Sequence, residues 1–78
     1  MKIDATGLLC PEPIMMLHKA IQESGDGDLI ELLSTDPSTE RDVLKFCNFL
    51  GHTLIKKDIK PELSSFIIKK NMAFVSKK

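Results

Sequence analysis

Apolar residues recur at helical spacing in two segments of the chain. The first segment runs from residue 13 to about residue 24, and the second opens at Asp36 and ends before Gly51. Positions three, four and seven residues apart share one face of a helix, so each segment predicts an amphipathic helix with a buried stripe. The stripe residues are Ile14, Leu17, Ala20 and Ile21 in the first segment and Val43, Phe46, Cys47 and Leu50 in the second.

Turn-forming residues set the expected ends of these helices. A Gly-Asp-Gly turn at residues 25–27 ends the first helix, and Gly51 ends the second. Asp36 is expected to cap the second helix, because its side-chain oxygen can accept a hydrogen bond from a backbone amide of the first turn. Pro37 suits the first turn, and Thr39-x-x-Asp42 is a second signal for the start of this helix.

Shorter apolar segments predict four β-strands, at residues 2–6, 28–35, 53–60 and 65–70. In the first, Ile3 and Ala5 alternate with polar neighbours, as in a strand with one buried face. The second strand is apolar on both faces, which predicts a central place in the sheet.

The elements therefore follow in the order β-α-β-α-β-β. Two right-handed crossovers and a hairpin predict a mixed four-stranded sheet with both helices on one face. The expected fold class is α/β (α+β), built as a two-layer sandwich. Residues 1–78 form a single predicted domain, in which residues 71–78 are a tail of uncertain order.

Composition then removes several classes of function. Eleven Lys and Arg balance eleven Asp and Glu, so the formal net charge is zero and no direct grip on nucleic acid is expected. A chain of 78 residues has too small an interior for a large cofactor, and none is expected. The longest apolar runs have four residues, far below the roughly 20 of a membrane span. We expect a cytoplasmic protein with reduced thiols and no membrane contact.

Cys10 is the first candidate for chemistry, because it lies where a loop meets the start of a helix. A helix N-terminus carries about half a positive charge and favours the thiolate. Pro11 and Pro13 have no N–H to offer the sulfur, and Glu12 adds a negative charge. We therefore expect at most a modest lowering of the Cys10 pKa, and a rigid loop that projects the thiol outward. The alternative is that Cys10 is a small buried apolar residue.

Cys47 has a different pattern, since it falls on the apolar stripe of the second helix and predicts a core residue. A disulfide between Cys10 and Cys47 is not expected, because one thiol lies in an exposed loop and the other on an inner face. His18 and His52 do not have paired metal-ligand spacing with the cysteines, so no metal site is predicted.

Two motifs, in order along the chain, resemble the TusA/SirA-type sulfur carriers. The first reads Asp4-Ala5-x-Gly7-Leu8-x-Cys10-Pro11-Glu12-Pro13-x-Met15-Met16. The second reads Asp36-Pro37-x-Thr39-x-Arg41-Asp42 and is followed by Phe46-Cys47-x-Phe49 and by His52. The match spans about residues 3–70. Two departures are His18, where the family pattern has Arg or Lys, and a longer tail with an apolar segment at residues 72–75.

The resemblance implies a βαβαββ sandwich in which Cys10 carries sulfane sulfur as a covalent persulfide, supported by Pro11, Glu12 and Pro13. It implies a cysteine desulfurase as sulfur donor and a downstream relay protein as acceptor. The expected endpoint is 2-thiolation of a wobble uridine in tRNA, and other members of the family serve sulfur oxidation or selenium metabolism. The predicted partner-docking residues are Met15, Met16, His18 and Lys19.

Two other classes of function stay open from the residues alone. A non-catalytic regulatory module would use the Met and Lys surface, with partial core packing as the alternative for Met15 and Met16. A redox thiol protein is less favoured, because Cys10 has no resolving partner nearby in the sequence.

Overall fold

The computed structural model describes residues 1–71, and residues 72–78, which include most of the predicted tail and its apolar segment, lie outside the described residues. The element order is the predicted β-α-β-α-β-β. The elements are β1 (Lys2–Ala5), α1 (Glu12–Glu23), β2 (Leu29–Ser34), α2 (Thr39–Leu50), β3 (Thr53–Ile59) and β4 (Ser64–Lys69).

The strands form one mixed sheet in the order β1-β2-β4-β3. Strands β1 and β2 are parallel, with Ile3 opposite Leu32. Strand β4 is antiparallel to β2 on one side and to β3 on the other, and the β3–β4 register shifts between Leu54 and Lys56. The predicted four-stranded mixed sheet is confirmed, and β2 has the predicted central position.

Both helices cover one face of the sheet, which confirms the two-layer sandwich. The predicted helical stripes meet the alternate inward residues of the strands, as burial on one face of an amphipathic element requires. The buried apolar residues are Ile3, Ala5, Leu17, Ala20, Ile21, Ile30, Leu32, Val43, Phe46, Cys47, Phe66 and Ile68.

Strand β2 is apolar on both faces, but only one face is fully buried. Ile30 and Leu32 point into the core, whereas Leu29 on the other face is 51% exposed. The central position of β2 therefore comes from pairing with β1 and β4, and no second layer from residues 1–71 covers its outer face.

The start of α2 differs from the prediction. Ser38 is the N-cap residue, so the expected cap by Asp36 is wrong. Asp36 lies two residues earlier and its Oδ1 accepts hydrogen bonds from the Ser38 amide and hydroxyl, both at 2.9 Å. This is a local Asx turn, in which a short carboxylate bonds the backbone two residues on. At the other end, Gly51 has a φ of 80° and closes the helix as predicted.

A buried hydrogen bond fixes the connection between β2 and α2. The hydroxyls of Ser34 and Thr39 lie 2.7 Å apart, and both residues are almost fully buried. The bond joins the last residue of β2 to the first residue of α2, so it holds the short loop that carries Asp36 against the end of the sheet.

Candidate functional site

Cys10 lies in the β1–α1 loop, at the end of the sheet where the parallel strands β1 and β2 both finish. The β2–α2 loop begins at the same end of the sheet, and two hydrogen bonds join the two loops. The Gly7 amide donates to Thr35 Oγ1 at 2.9 Å, and the Cys10 amide donates to Asp36 Oδ2 at 2.7 Å. Crevices at the carboxyl ends of parallel strands are the usual sites of function in α/β sheets.

The Cys10 thiol faces a carboxylate on the second helix. Its Sγ donates a hydrogen bond to Asp42 Oδ2 at 3.1 Å. Asp42 lies in the first turn of α2, with a side chain that is 19% exposed, and Arg41 Nε lies 3.8 Å from its other oxygen. The thiol itself is exposed, as the sequence predicts.

This carboxylate changes the acidity of the thiol. The hydrogen bond to Asp42 is the largest cause that raises the Cys10 pKa, and desolvation and the charges of Asp42 and Asp36 act in the same direction. The Ser38 side chain acts against them. The sequence predicts at most a modest lowering of the Cys10 pKa, and the structure shows no lowering but a rise, for which Asp42 is the main cause.

The helix N-terminus does not compensate, because Cys10 is not the cap residue. Pro11 is the N-cap of α1, and the helix begins at Glu12, one residue earlier than predicted. The Glu12 amide donates to the Leu9 carbonyl at 2.9 Å, and the two prolines have no amide hydrogen. Neither the Glu12 amide nor the two prolines therefore offer the sulfur a donor, while the Asp42 carboxylate is in contact with it.

The residues around Cys10 divide into a rigid inner side and an open outer side. Pro13 is almost fully buried, whereas Pro11 and Glu12 are exposed. The Cys10–Pro11 peptide bond is cis. The buried Pro13 anchors this loop to the core, whereas the side that carries Pro11 and Glu12 is accessible.

Cys47 has the surroundings that its pattern predicts. It is a free, buried cysteine on the core face of α2. Burial raises the pKa of its thiol to about 11. The prediction that Cys47 belongs to the core is confirmed, and the two cysteines are unpaired.

An open groove of about 430 Å³ runs from Cys10 between the two helices. We call it the interhelical groove, and its lining residues are Cys10, Pro11, Ile14, His18, Asp42, Lys45, Phe46, Phe49 and Leu50. The His18 ring meets the Phe46 ring edge-on at 4.6 Å, and Phe49 is 79% exposed. An apolar surface this accessible beside a reactive group is suited to contact with another molecule.

The four predicted docking residues lie in different places. His18 lines the interhelical groove, and Met15 is 61% exposed outside it. Met16 is partly buried and packs against the core, so of the two alternatives for this residue the structure has partial core packing. With Lys19 it borders a separate hollow beside β1. Docking by these residues stays a prediction.

The second histidine, His52, lies just after the C-terminal end of α2, away from Cys10. His52 Nδ1 accepts a hydrogen bond from the Asn71 amide at 3.1 Å, and burial is the main cause that lowers the His52 pKa.

Within residues 1–71, no three His, Cys, Asp or Glu side chains are grouped so that they could hold a metal. Both helices have 12 residues, and nothing in the described part of the chain qualifies as a membrane-spanning helix.

Sequence reasoning missed the role of Asp36 and Asp42 at the thiol. Both were assigned to the start of the second helix, which accounts for an acidic residue there without any ligand. One signal could have placed both aspartates near Cys10. Each of the two motifs follows one of two strands predicted to be parallel, and parallel strands bring the loops that follow them to the same end of the sheet.

Comparison with known proteins identifies the family. The family model described as sulfurtransferase TusA matches residues 1–70, nearly all of the described chain. The chain belongs to the TusA family. This confirms the resemblance drawn from the two motifs, and a general role in carrying sulfur follows from membership.

Curated relatives and a solved structure agree with this assignment. The chain is 56% identical over 55 residues to the sulfur carrier protein TusA of Pseudomonas putida, covering 70% of this chain and 69% of that protein. It is 54% identical over 55 residues to the Pseudomonas aeruginosa protein of the same name, covering 70% of each. A SirA-like protein from Desulfitobacterium hafniense shares the fold, with a TM-score of 0.80 at 24% identity over 90% of this chain and 96% of that one.

Proposed function

We propose that Cys10 of this TusA-family protein accepts sulfur as a persulfide from a cysteine desulfurase and passes it to a relay protein. The relay leads to 2-thiolation of a wobble uridine in tRNA, and the protein acts in the cytoplasm. The observation that carries the proposal is the placement of Cys10, an exposed free thiol at the carboxyl end of the parallel strands, with an open groove beside it.

Persulfide transfer needs a thiol that another protein can reach. The Cys10 thiolate attacks the terminal sulfur of the donor persulfide, a new S–S bond forms, and the donor cysteine leaves as a thiolate. The exposed loop supports this step, because two active sites must bring their sulfur atoms into contact. The buried position of Cys47 also supports it, since a thiol in the core cannot compete for the sulfur.

The surroundings of Cys10 favour a carrier over a strong catalytic nucleophile. A raised pKa lowers the fraction of thiolate in the free protein, which suits a thiol that is to react in a complex with its partner. The zero net charge supports a protein that meets other proteins and leaves tRNA binding to a later member of the relay.

Loading of sulfur tests the proposal directly. The full chain is incubated with a cysteine desulfurase and cysteine, and its intact mass is measured with and without reductant. We expect a reductant-sensitive gain of about one sulfur atom on the wild type, no gain on Cys10→Ser, and a normal gain on Cys47→Ala. Loading of Cys10→Ser would overturn the assignment of Cys10.

The endpoint needs a second measurement. The loaded protein is added to a reconstituted tRNA thiolation system, and 2-thiouridine is measured in the tRNA. We expect 2-thiouridine to depend on Cys10. Sulfur loading without any 2-thiouridine would overturn the tRNA endpoint alone and would direct attention to sulfur oxidation or selenium metabolism.

A further inference from the structure

We propose that Asp42 is a positioning residue that favours the unloaded thiol of Cys10 over its persulfide and so promotes release of the carried sulfur. The inference rests on the proposed persulfide chemistry of Cys10. It adds a residue on α2 to a site that the sequence places in the β1–α1 loop and on α1.

The hydrogen bond distinguishes the two states of the carrier. In the unloaded protein the Cys10 S–H donates to Asp42 Oδ2 over 3.1 Å. In the persulfide, Sγ is bonded to a second sulfur and has no proton to donate. The contact then brings sulfur lone pairs, and an anionic terminal sulfur, towards a carboxylate oxygen. Asp42 therefore stabilises one state and destabilises the other.

The other charges near the thiol do not cancel this effect. Asp36 accepts a hydrogen bond from the Cys10 amide at 2.7 Å and contributes a second carboxylate, and Glu12 lies two residues away. The cations on α2 are Arg41, which is 68% exposed, and Lys45, which lines the groove. Exposed cations are screened by water, whereas the two carboxylates lie in direct hydrogen-bond contact with Cys10.

The exchange reaction shows where this preference acts. Cys10–SH reacts with R–S–S⁻ to give Cys10–S–S⁻ and R–SH. The S–S bond of the donor breaks, a new S–S bond forms at Sγ, and the Cys10 proton ends on the donor thiol. No oxidant or reductant is consumed. Because Asp42 stabilises only the reactant Cys10–SH, the equilibrium shifts towards R–S–S⁻, which is the direction of sulfur release.

The test measures this equilibrium without any partner protein. Wild type and Asp42→Asn, both as full chains, are mixed with glutathione persulfide and glutathione in defined ratios, and the loaded fraction is read by intact mass. We expect the exchange constant of Asp42→Asn to favour the loaded form by about two- to tenfold, the range of one solvent-accessible hydrogen bond to a charged group. The pH profile of Cys10 alkylation should also move to lower pH in the variant.

A matched control separates the contact from net charge. Glu40→Gln removes one carboxylate from the same helical turn, where Glu40 pairs with Lys57 at 2.6 Å and is not in hydrogen-bond contact with Cys10. We expect wild-type exchange and a wild-type alkylation profile for this variant. An equal shift in both variants, or no shift in Asp42→Asn, would overturn the inference.

Two further measurements keep the result interpretable. If Asp42→Asn does not fold by circular dichroism, Asp42→Glu takes its place, because the longer side chain displaces the carboxylate and should shift the exchange in the same direction by less. Failure of desulfurase loading with normal exchange of glutathione persulfide would overturn the proposed function and leave the role of Asp42 standing.

Discussion

The two cysteines of this protein both have a raised thiol pKa, but for different physical reasons. At Cys10 the main cause is a hydrogen bond to Asp42, whereas at Cys47 it is burial in the core. A raised pKa alone would not tell the carrier from the core residue. The two thiols are told apart by their exposure and by what raises the pKa. A charge that another molecule brings close to Asp42 would change the pKa of Cys10, but it would leave the effect of burial on Cys47 unchanged.

Alkylation should separate the two thiols by the largest margin. With iodoacetamide at mildly alkaline pH, we expect Cys10 to react at least about a hundredfold faster than Cys47, because reaching Cys47 needs a local opening that costs several kcal/mol. Peptide mass mapping over time gives both rates. In urea the ratio should approach one, and comparable rates in the native protein would contradict the contrast in access.

Substitution by serine should affect stability in the opposite order. Cys47→Ser places a hydroxyl in an apolar core and should lower the free energy of unfolding by about 1–3 kcal/mol. Cys10→Ser should leave the urea midpoint nearly unchanged, because its side chain is exposed. Urea titrations followed by circular dichroism provide the comparison, and a larger loss for Cys10→Ser would show that the loop depends on its sulfur.

Asp36→Asn should give a smaller effect that depends on pH. The Ser38 amide, the Cys10 amide and the Ser38 hydroxyl hold the Asp36 pKa below its ordinary value of 3.8. This contribution to stability is present above that value and is lost as the pH falls through the folded-state pKa. The variant should be less stable than wild type at neutral pH and should converge with it in acid. Parallel stability curves would exclude this carboxylate as the source of the difference.

The fold was predictable because its determinants are local. The stripe at Val43, Phe46 and Cys47 and the left-handed Gly51 are both readable from spacing and residue type, and each is confirmed. The start of α2 was harder, because Asp36 and Ser38 are both good cap residues. The buried Ser34–Thr39 hydrogen bond, which fixes the loop against the sheet, is a tertiary contact that the sequence does not reveal.

The site was predictable only in part, for the same reason. Cys10 is identified by its motif and its loop position, but its pKa depends on Asp42, a residue 32 positions away. Sequence reasoning weighed the charges next to Cys10 in the chain, namely the helix N-terminus and Glu12. The charge that decides the Cys10 pKa is that of Asp42 on the other helix. Its effect can be derived only once the parallel pairing of β1 and β2 brings both loops to the same end of the sheet.

The exposed position of Phe49 is suited to a fluorescent probe. The chain contains no Trp or Tyr, so Phe49→Trp would create its sole strong fluorophore. That position is 79% exposed and lies in the same groove as Cys10. The emission colour of an indole reports how much water surrounds it, so one substitution would let the arrival of any molecule at this groove be followed in real time, without a label on the sulfur.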